Sequence, residues 1–257
     1  MSRIAGRLAL VTGASAGIGL ACARRFAADG AHLVLWARRA DRLEREAEAL
    51  RHAHGVTVRT ATVDVRDRPA VERAVQTLVD AGAVPDILLN NAGLAAGLDK
   101  LQDGDPEDWD RMIDTNVKGL LYVSRAILPH MVRLGRGHVV NLGSLAGHQT
   151  YPKGNVYSAT KYAVRALTEG MHLDLVGTPV RVSSVDPGLV ETEFSVVRFH
   201  GDAARAKQVY QGMQPLTADD VAEVIGYIVN LPEHINVLEV VLMPTAQRST
   251  QVVHRQA

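Results

Sequence analysis

Tyr157 and Lys161 stand four residues apart in the run Y-S-A-T-K. On a helix, residues at i and i+4 lie one above the other on the same face, so an amine at 161 reaches whatever the phenol at 157 touches. A free tyrosine titrates at about 10 and is a poor proton donor or acceptor near neutrality. A fixed positive charge beside it favours phenolate and draws that pKa toward working pH, as general acid–base catalysis requires. The same spacing occurs on ordinary solvated helices, so the pair needs partners elsewhere in the chain before it counts as machinery.

A second group of residues is suited to holding an anion. The run T-G-A-S-A-G-I-G contains Gly13, Ser15, Gly17, Ile18 and Gly19. Glycines between a strand and a helix permit a tight turn and close approach of backbone N–H groups to a pyrophosphate at the helix N-terminus. A purely structural turn reads the same way in isolation, and it is the place after a first strand that favours the phosphate cradle. The next strand-like run ends L-W-A-R-R, with Arg38 and Arg39 where a dinucleotide site selective for NAD would carry a carboxylate. Guanidinium groups bind a 2′-phosphate through charge-assisted bonds, so these two point to NADP(H); the alternative is that they only decorate the start of a helix. Asp64 and Val65 follow the third run, with Asp64 able to accept from an adenine amino group. Asn90, Asn91, Ala92 and Gly93 follow the fourth. Asn90 is read as a brace of the central strand, and the turn after it as a brace or a cofactor contact.

Elements capable of positioning these groups are legible in the apolar pattern. Strand-like runs cover 8–12, 33–36, 56–63, 87–89, 138–142, 180–185 and 237–242. Helical periodicity covers 17–29, 41–53, 69–81, 108–134, 156–176 and 218–231. Such alternation predicts an α/β chain: a single-domain, Rossmann-like, doubly wound parallel sheet of about seven strands with helices on both faces, its ligands outside the carboxyl ends of the strands. No linker-like stretch divides residues 1–257. The stretch of about 188–215 breaks the alternation and is expected to form a substrate lid.

Composition narrows the partners. The formal net charge is zero, which gives no field to recruit nucleic acid or an anionic membrane surface. No apolar run approaches the roughly 20 residues of a spanning helix. The opening M-S-R-I-A-G-R lacks the apolar stretch of a secretory signal, and Cys22 is the only cysteine, so a cytoplasmic location without disulfides is expected. The ten histidines show no metal-ligand spacing, and no metal is expected.

Taken together, T-G-A-S-A-G-I-G, D-V at 64–65, N-N-A-G at 90–93, Asn116, Ser144, Tyr157-S-A-T-Lys161 and P-G-L-V-E-T at 187–192 resemble the short-chain dehydrogenase/reductase family over about residues 5–243. The resemblance implies a catalytic tetrad of Asn116, Ser144, Tyr157 and Lys161. Tyr157 would exchange the proton with the carbonyl or alcohol oxygen, and Ser144 would hydrogen-bond that same oxygen. Lys161 would lower the Tyr157 pKa and hold the nicotinamide ribose, and Asn116 would anchor a water of the proton relay. Pro187, Gly188 and Thr192 would contact the nicotinamide end. The runs G-N-V-Y-S-A-T-K and E-F-S-V-V-R-F-H-G-D are similar to the branch of NADP-dependent 3-hydroxy acid dehydrogenases, also described as serine or L-allo-threonine dehydrogenases. That branch implies small 3-hydroxy and 3-oxo acids as substrates and a homotetramer. A small acid needs a cation, and Arg198 in the lid is the candidate, a solvated or intersubunit arginine being the competing reading. A broad carbonyl reductase would use the same machinery. A 3-oxoacyl thioester or steroid-type reductase would want a wide apolar lid, whereas this one carries Arg198, His200, Asp202 and Arg205. A dinucleotide sensor without chemistry could dispense with the tetrad.

Overall fold

Seven parallel strands run in the order β3-β2-β1-β4-β5-β6-β7 in a computed structural model that describes residues 2–256. They are β1 (Leu8–Thr12), β2 (His32–Ala37), β3 (Val58–Thr62), β4 (Ile87–Asn90), β5 (Gly137–Leu142), β6 (Val180–Pro187) and β7 (Glu239–Leu242). The helices are α1 (Gly17–Ala28), α2 (Ala40–His54), α3 (Arg68–Asp80), α4 (Pro106–Ile113), α5 (Leu120–Leu134), α6 (Asn155–Asp174), α7 (Phe194–Arg198), α8 (Ala203–Gln208) and α9 (Ala218–Val229). The order reverses between β1 and β4, and such a reversal opens a crevice at the carboxyl ends of the strands.

Both faces of the sheet are buried because successive strand residues point to opposite sides. Ala9 and Val11 of β1 face Phe26 of α1, Leu43 of α2 and Ile225 of α9, whereas Leu10 faces Val75 of α3 and Ile127 of α5. Each large side chain so buried contributes about 1.5–3 kcal/mol relative to exposure. Smaller devices fix the helix ends. Asp67 accepts from Ala70 N–H at the start of α3, and Thr217 with Asp220 forms a capping box on α9. Among the described residues, no helix is long and apolar enough to cross a membrane.

One segment differs from the expectation. The single helix expected over 108–134 is broken: α4 starts at Pro106, capped by Asp105, and a π-helical turn, Asp114–Gly119, separates it from α5. The extra residue of a π turn re-aims the side chains it carries, and this one carries Asn116. The stretch after β6 holds α7 and α8 and is joined to the sheet end by the Tyr210 hydroxyl, which donates to Val190 C=O at 2.8 Å.

His138 of β5 gives the fold a pH signature. Its ring is 2% exposed with Nε2 2.8 Å from Ser183 Oγ, and burial holds its pKa down to about 3. The imidazole is therefore neutral when folded, while the unfolded chain takes up a proton below about 6.5. Stability falls as pH drops from about 6.5 toward 3, by up to about 1.4 kcal/mol per pH unit. Urea midpoints across that range should show the slope, and His138→Gln should flatten it; an unchanged slope in the variant refutes the assignment.

Candidate active site

The glycine-rich turn lies between β1 and α1. Gly13 and Gly17 have φ of 65° and 53°, in the region that favours glycine. A Cβ on Gly19 would stand 2.4 Å from Asn91 Nδ2, so no side chain fits there. Asn91 Nδ2 donates to Thr12 C=O at 2.8 Å, and the N–H groups of Asn91 and Ala92 both donate to Thr12 Oγ1 at 3.0 Å. Thr12, unremarked as an isolated residue, thus ties the turns after β1 and β4 together. Asn90 braces deeper, donating to Ser124 Oγ and Asn141 Oδ1, each at 2.9 Å. Ala16 caps α1 without a side-chain acceptor, and the first helical turn has no acidic residue. The N–H groups and the positive end of the helix dipole therefore meet no internal anion, the condition for seating a pyrophosphate. Ile18 keeps the turn down by packing against the core beneath it.

The adenosine end is richer in charge than expected. Arg38 is exposed at the end of β2. Arg39 Nε and Nη2 donate to Ser15 Oγ at 3.2 and 3.1 Å, and its Nη1 lies 3.0 Å from Glu193. Arg42, one helical turn on, also pairs with Glu193. Asp64 is held below the usual carboxylate range, chiefly by Arg66 at 2.6 Å, so part of its capacity to accept is already used; buried Val65 sits beside it.

At the centre, Tyr157 and Lys161 share the buried face of α6. Tyr157 is 9% exposed, and its ring meets Phe194 edge-on with centroids 5.6 Å apart. Lys161 Nζ donates to Leu142 C=O at 2.8 Å and lies 6.0 Å from the Tyr157 ring centroid. Burial dominates both groups. It pushes the Tyr157 phenol up, and it lowers the Lys161 ammonium to about 8 against the opposing pull of Asp186. Burial is the largest influence on the phenol, and Ser144 and Arg198 draw it back. At neutral pH the phenol is thus a held proton donor.

Ser144 follows β5 and caps a short 3-10 turn, its Oγ accepting from Ala146 N–H at 3.1 Å. Asn116 is fully engaged: Oδ1 accepts from Leu94 N–H at 2.8 Å, and Nδ2 donates to Leu94 C=O at 2.8 Å and Thr160 Oγ1 at 3.0 Å. Through these bonds the Asn116 side chain splints the segment after Gly93 to α6. A Cβ on Gly93 would approach Asn116 Oδ1 at 3.2 Å and Lys161 Nζ at 3.8 Å, which places all three at one point.

Residues without a motif complete the frame. Asp186, on the strand just before Pro187, is 1% exposed and bonded to His148 at 2.6 Å and to Ser184. A Cβ on Gly143 would collide with Asp186, so this carboxyl lies directly beneath the link between Leu142 and Ser144. Gln247, 3% exposed, accepts from Leu189 N–H at 2.9 Å and fills the space a side chain on Gly188 would need. Thr192 stands over the glycine-rich turn, 3.5 Å from where a Cβ of Gly17 would be. Only compatible geometry, not motif, could have flagged Asp186, His148 and Gln247.

A shallow cleft opens beside Tyr157, bounded by Gly97, Asp108, Trp109, Lys153 and Arg198 among others. The Arg198 guanidinium carbon lies 5.5 Å from the Tyr151 ring and 5.7 Å from the Tyr157 ring. Its Nε donates to Gly97 C=O at 3.1 Å, while Gly97 N–H returns a bond to Arg198 C=O at 3.0 Å. The lid is latched a second time by His200, 3.0 Å from Asp108. The arrangement can do one thing well: present a protonated phenol, a hydroxyl and a cation to a small polar molecule between a dinucleotide cradle and a short lid.

Comparison with known proteins agrees. The short chain dehydrogenase family matches residues 7–202. The chain is 45% identical over 250 residues to an NADP-dependent 3-hydroxy acid dehydrogenase of Salmonella typhi, covering 96% of this chain and 99% of that protein. It is 47% identical over 241 residues to sulfoacetaldehyde reductase 2 of Chromohalobacter salexigens, covering 93% and 95% respectively. Among solved structures, the closed form of a serine dehydrogenase complexed with NADP+ superposes with a TM-score of 0.90 at 43% identity, covering 97% of this chain and all of that one. With a reversing seven-stranded sheet, a glycine-built anion cradle and Ser144, Tyr157 and Lys161 at its mouth, the chain belongs to the short-chain dehydrogenase family.

Proposed function

We propose that this chain is an NADP(H)-dependent oxidoreductase that interconverts small 3-hydroxy acids and 3-oxo acids, with Tyr157 as its acid–base group. The observation that carries the substrate class is Arg198: a guanidinium over the face of the catalytic phenol, pinned to Gly97 from both its side chain and its backbone. A carboxylate on that guanidinium would set a carbonyl two bonds away toward the Tyr157 hydroxyl. The names of the relatives, a 3-hydroxy acid dehydrogenase and a serine dehydrogenase, support the same class.

The residues fit the cofactor. A Cβ would fill the cradle at Gly13 or Gly19, and the carboxylate of Glu193 on Arg39 and Arg42 supports an anion subsite for the 2′-phosphate there. Gly13, Ser15, Gly17, Ile18 and Gly19 would take the pyrophosphate, Arg38 and Arg39 the 2′-phosphate, and Asp64 and Val65 the adenine. Asn91, Ala92, Gly93, Lys161, Pro187, Gly188 and Thr192 would take the ribose and nicotinamide. When bound, NADPH supplies the hydride that reaches the carbonyl carbon. Tyr157 gives its hydroxyl proton to the carbonyl oxygen, and Ser144 donates to the same oxygen as charge develops on it. Lys161 stays charged up to about pH 8 and offsets the phenolate left behind. In the oxidative direction Tyr157 takes the proton back.

The protein is further proposed to work in the cytoplasm as a homotetramer; exposed Tyr227 on α9 and Val241 on β7 are apolar groups that a second subunit would cover. The decisive assay follows NADPH oxidation at 340 nm with 3-oxo acids, their methyl esters and neutral ketones, repeated with NADH. NADPH and free acids should give the higher kcat/KM. Equal values for acid and ester would remove the acid class, and a preference for NADH would remove the cofactor assignment.

A further inference from the structure

Glu193 follows Thr192 and reaches across the mouth of the dinucleotide cradle to the opposite wall. Its Oε2 lies 3.0 Å from Arg39 Nη1 and its Oε1 2.5 Å from Arg42 Nη1, so each carboxylate oxygen takes one guanidinium. Arg39 is at the same time bonded to Ser15 of the glycine-rich turn. The carboxylate therefore sits between Arg39 and Arg42 at the start of α2, where a 2′-phosphate would be placed. Arg42 and then Arg39 hold its carboxyl below the ordinary range, so it is ionised and its charge is committed to this contact.

We propose that Glu193 is an internal counter-ion of the 2′-phosphate subsite, displaced when a 2′-phosphate binds, and that it thereby sets how strongly the chain prefers a phosphorylated cofactor. The proposal rests on the NADP(H) reading given above. Displacement is feasible because Arg39, Glu193 and Arg42 are partly exposed, at 50%, 47% and 32%, and such ion pairs are individually weak. A phosphate carries nearly two charges and three acceptor oxygens, against one charge and two oxygens for the carboxylate. The cost of displacement falls only on a 2′-phosphate, since a bare 2′-hydroxyl does not need the guanidiniums.

A mechanical consequence follows from where Glu193 stands. It is the N-cap of α7, the helix that ends in Arg198. The ion pair thus tethers the lid to α2, and occupying the phosphate subsite releases that tether. Any ligand that binds at one end must, by linkage, bias the other.

Calorimetric titration with adenosine 2′,5′-bisphosphate and with 5′-AMP isolates the subsite without nicotinamide or turnover. Native protein should bind the bisphosphate more tightly than 5′-AMP. Glu193→Gln should tighten the bisphosphate by about threefold to tenfold and leave 5′-AMP unchanged. In an Arg42→Ala background the same substitution should gain less. Bisphosphate, but not 5′-AMP, should also speed tryptic cleavage of the lid in the native protein, and the Gln variant should be cleaved fast without it. No change in bisphosphate affinity, weaker binding, or equal tightening of both probes would overturn the counter-ion role, while the NADP(H) reading would survive. Lid cleavage indifferent to bisphosphate would overturn the tether. Native protein that fails to distinguish the two probes would overturn the phosphate subsite itself, and the proposal with it.

Discussion

Tyr157→Phe should lower kcat by roughly 10²- to 10⁴-fold while NADPH binds as before. The ring is buried against Phe194 and its loss would disturb packing, but phenylalanine keeps the ring and removes only the hydroxyl. What disappears is the proton donor that burial keeps protonated and that Ser144 and Arg198 draw toward usefulness. The cradle is built from other elements, the turns after β1 and β4 and the start of α2, so cofactor affinity is untouched. Fluorescence titration of NADPH together with steady-state turnover separates the two. Near-native turnover would show that the proton travels by another route, and lost NADPH binding would show that the hydroxyl holds the cofactor.

Arg198→Ala should raise KM for 3-oxo acids by about tenfold to a hundredfold, the scale of a charge-assisted contact in a partly enclosed cleft. The methyl esters should change by no more than about threefold, because they bring no charge to the guanidinium. Arg198→Lys should recover only part of the loss: a lysine keeps the charge but cannot both bond Gly97 C=O through Nε and present a fork to a carboxylate. Removing the cation also withdraws one of the influences that lower the Tyr157 phenol, so kcat should fall modestly for every substrate. Equal KM increases for acid and ester would assign Arg198 to holding the lid on Gly97 instead of the substrate.

Local chemistry survives in sequence when neighbours in the chain are also neighbours in space. The turn at Gly13–Gly19 is such a case, since strand, turn and helix are consecutive and the glycines announce a backbone that must bend and admit a ligand. Tyr157 and Lys161 are another, four residues apart on one helix face. Period-two burial of both sheet faces likewise made the strands visible as apolar runs, with errors of one or two residues at their ends. The break at Asp114–Gly119 was not visible, because apolar periodicity continues across a π turn with only a small phase shift.

Long-range pairing is what the chain does not advertise. Glu193 reads as a surface acid until folding lays it across Arg39 and Arg42, more than 150 residues away. Nor does spacing show that Asn116 ties Leu94 to Thr160. Arg198 also comes to lie beside the Tyr157 ring, and a phenol responds to charge in space and to burial, neither of which sequence spacing measures. The sequence by itself therefore determined the sheet, the glycine-rich turn and the helix face that Tyr157 and Lys161 share. Only the tertiary structure decided which charges face one another in the cleft, since electrostatic and desolvation energies depend on distances that form when the sheet brings remote turns together.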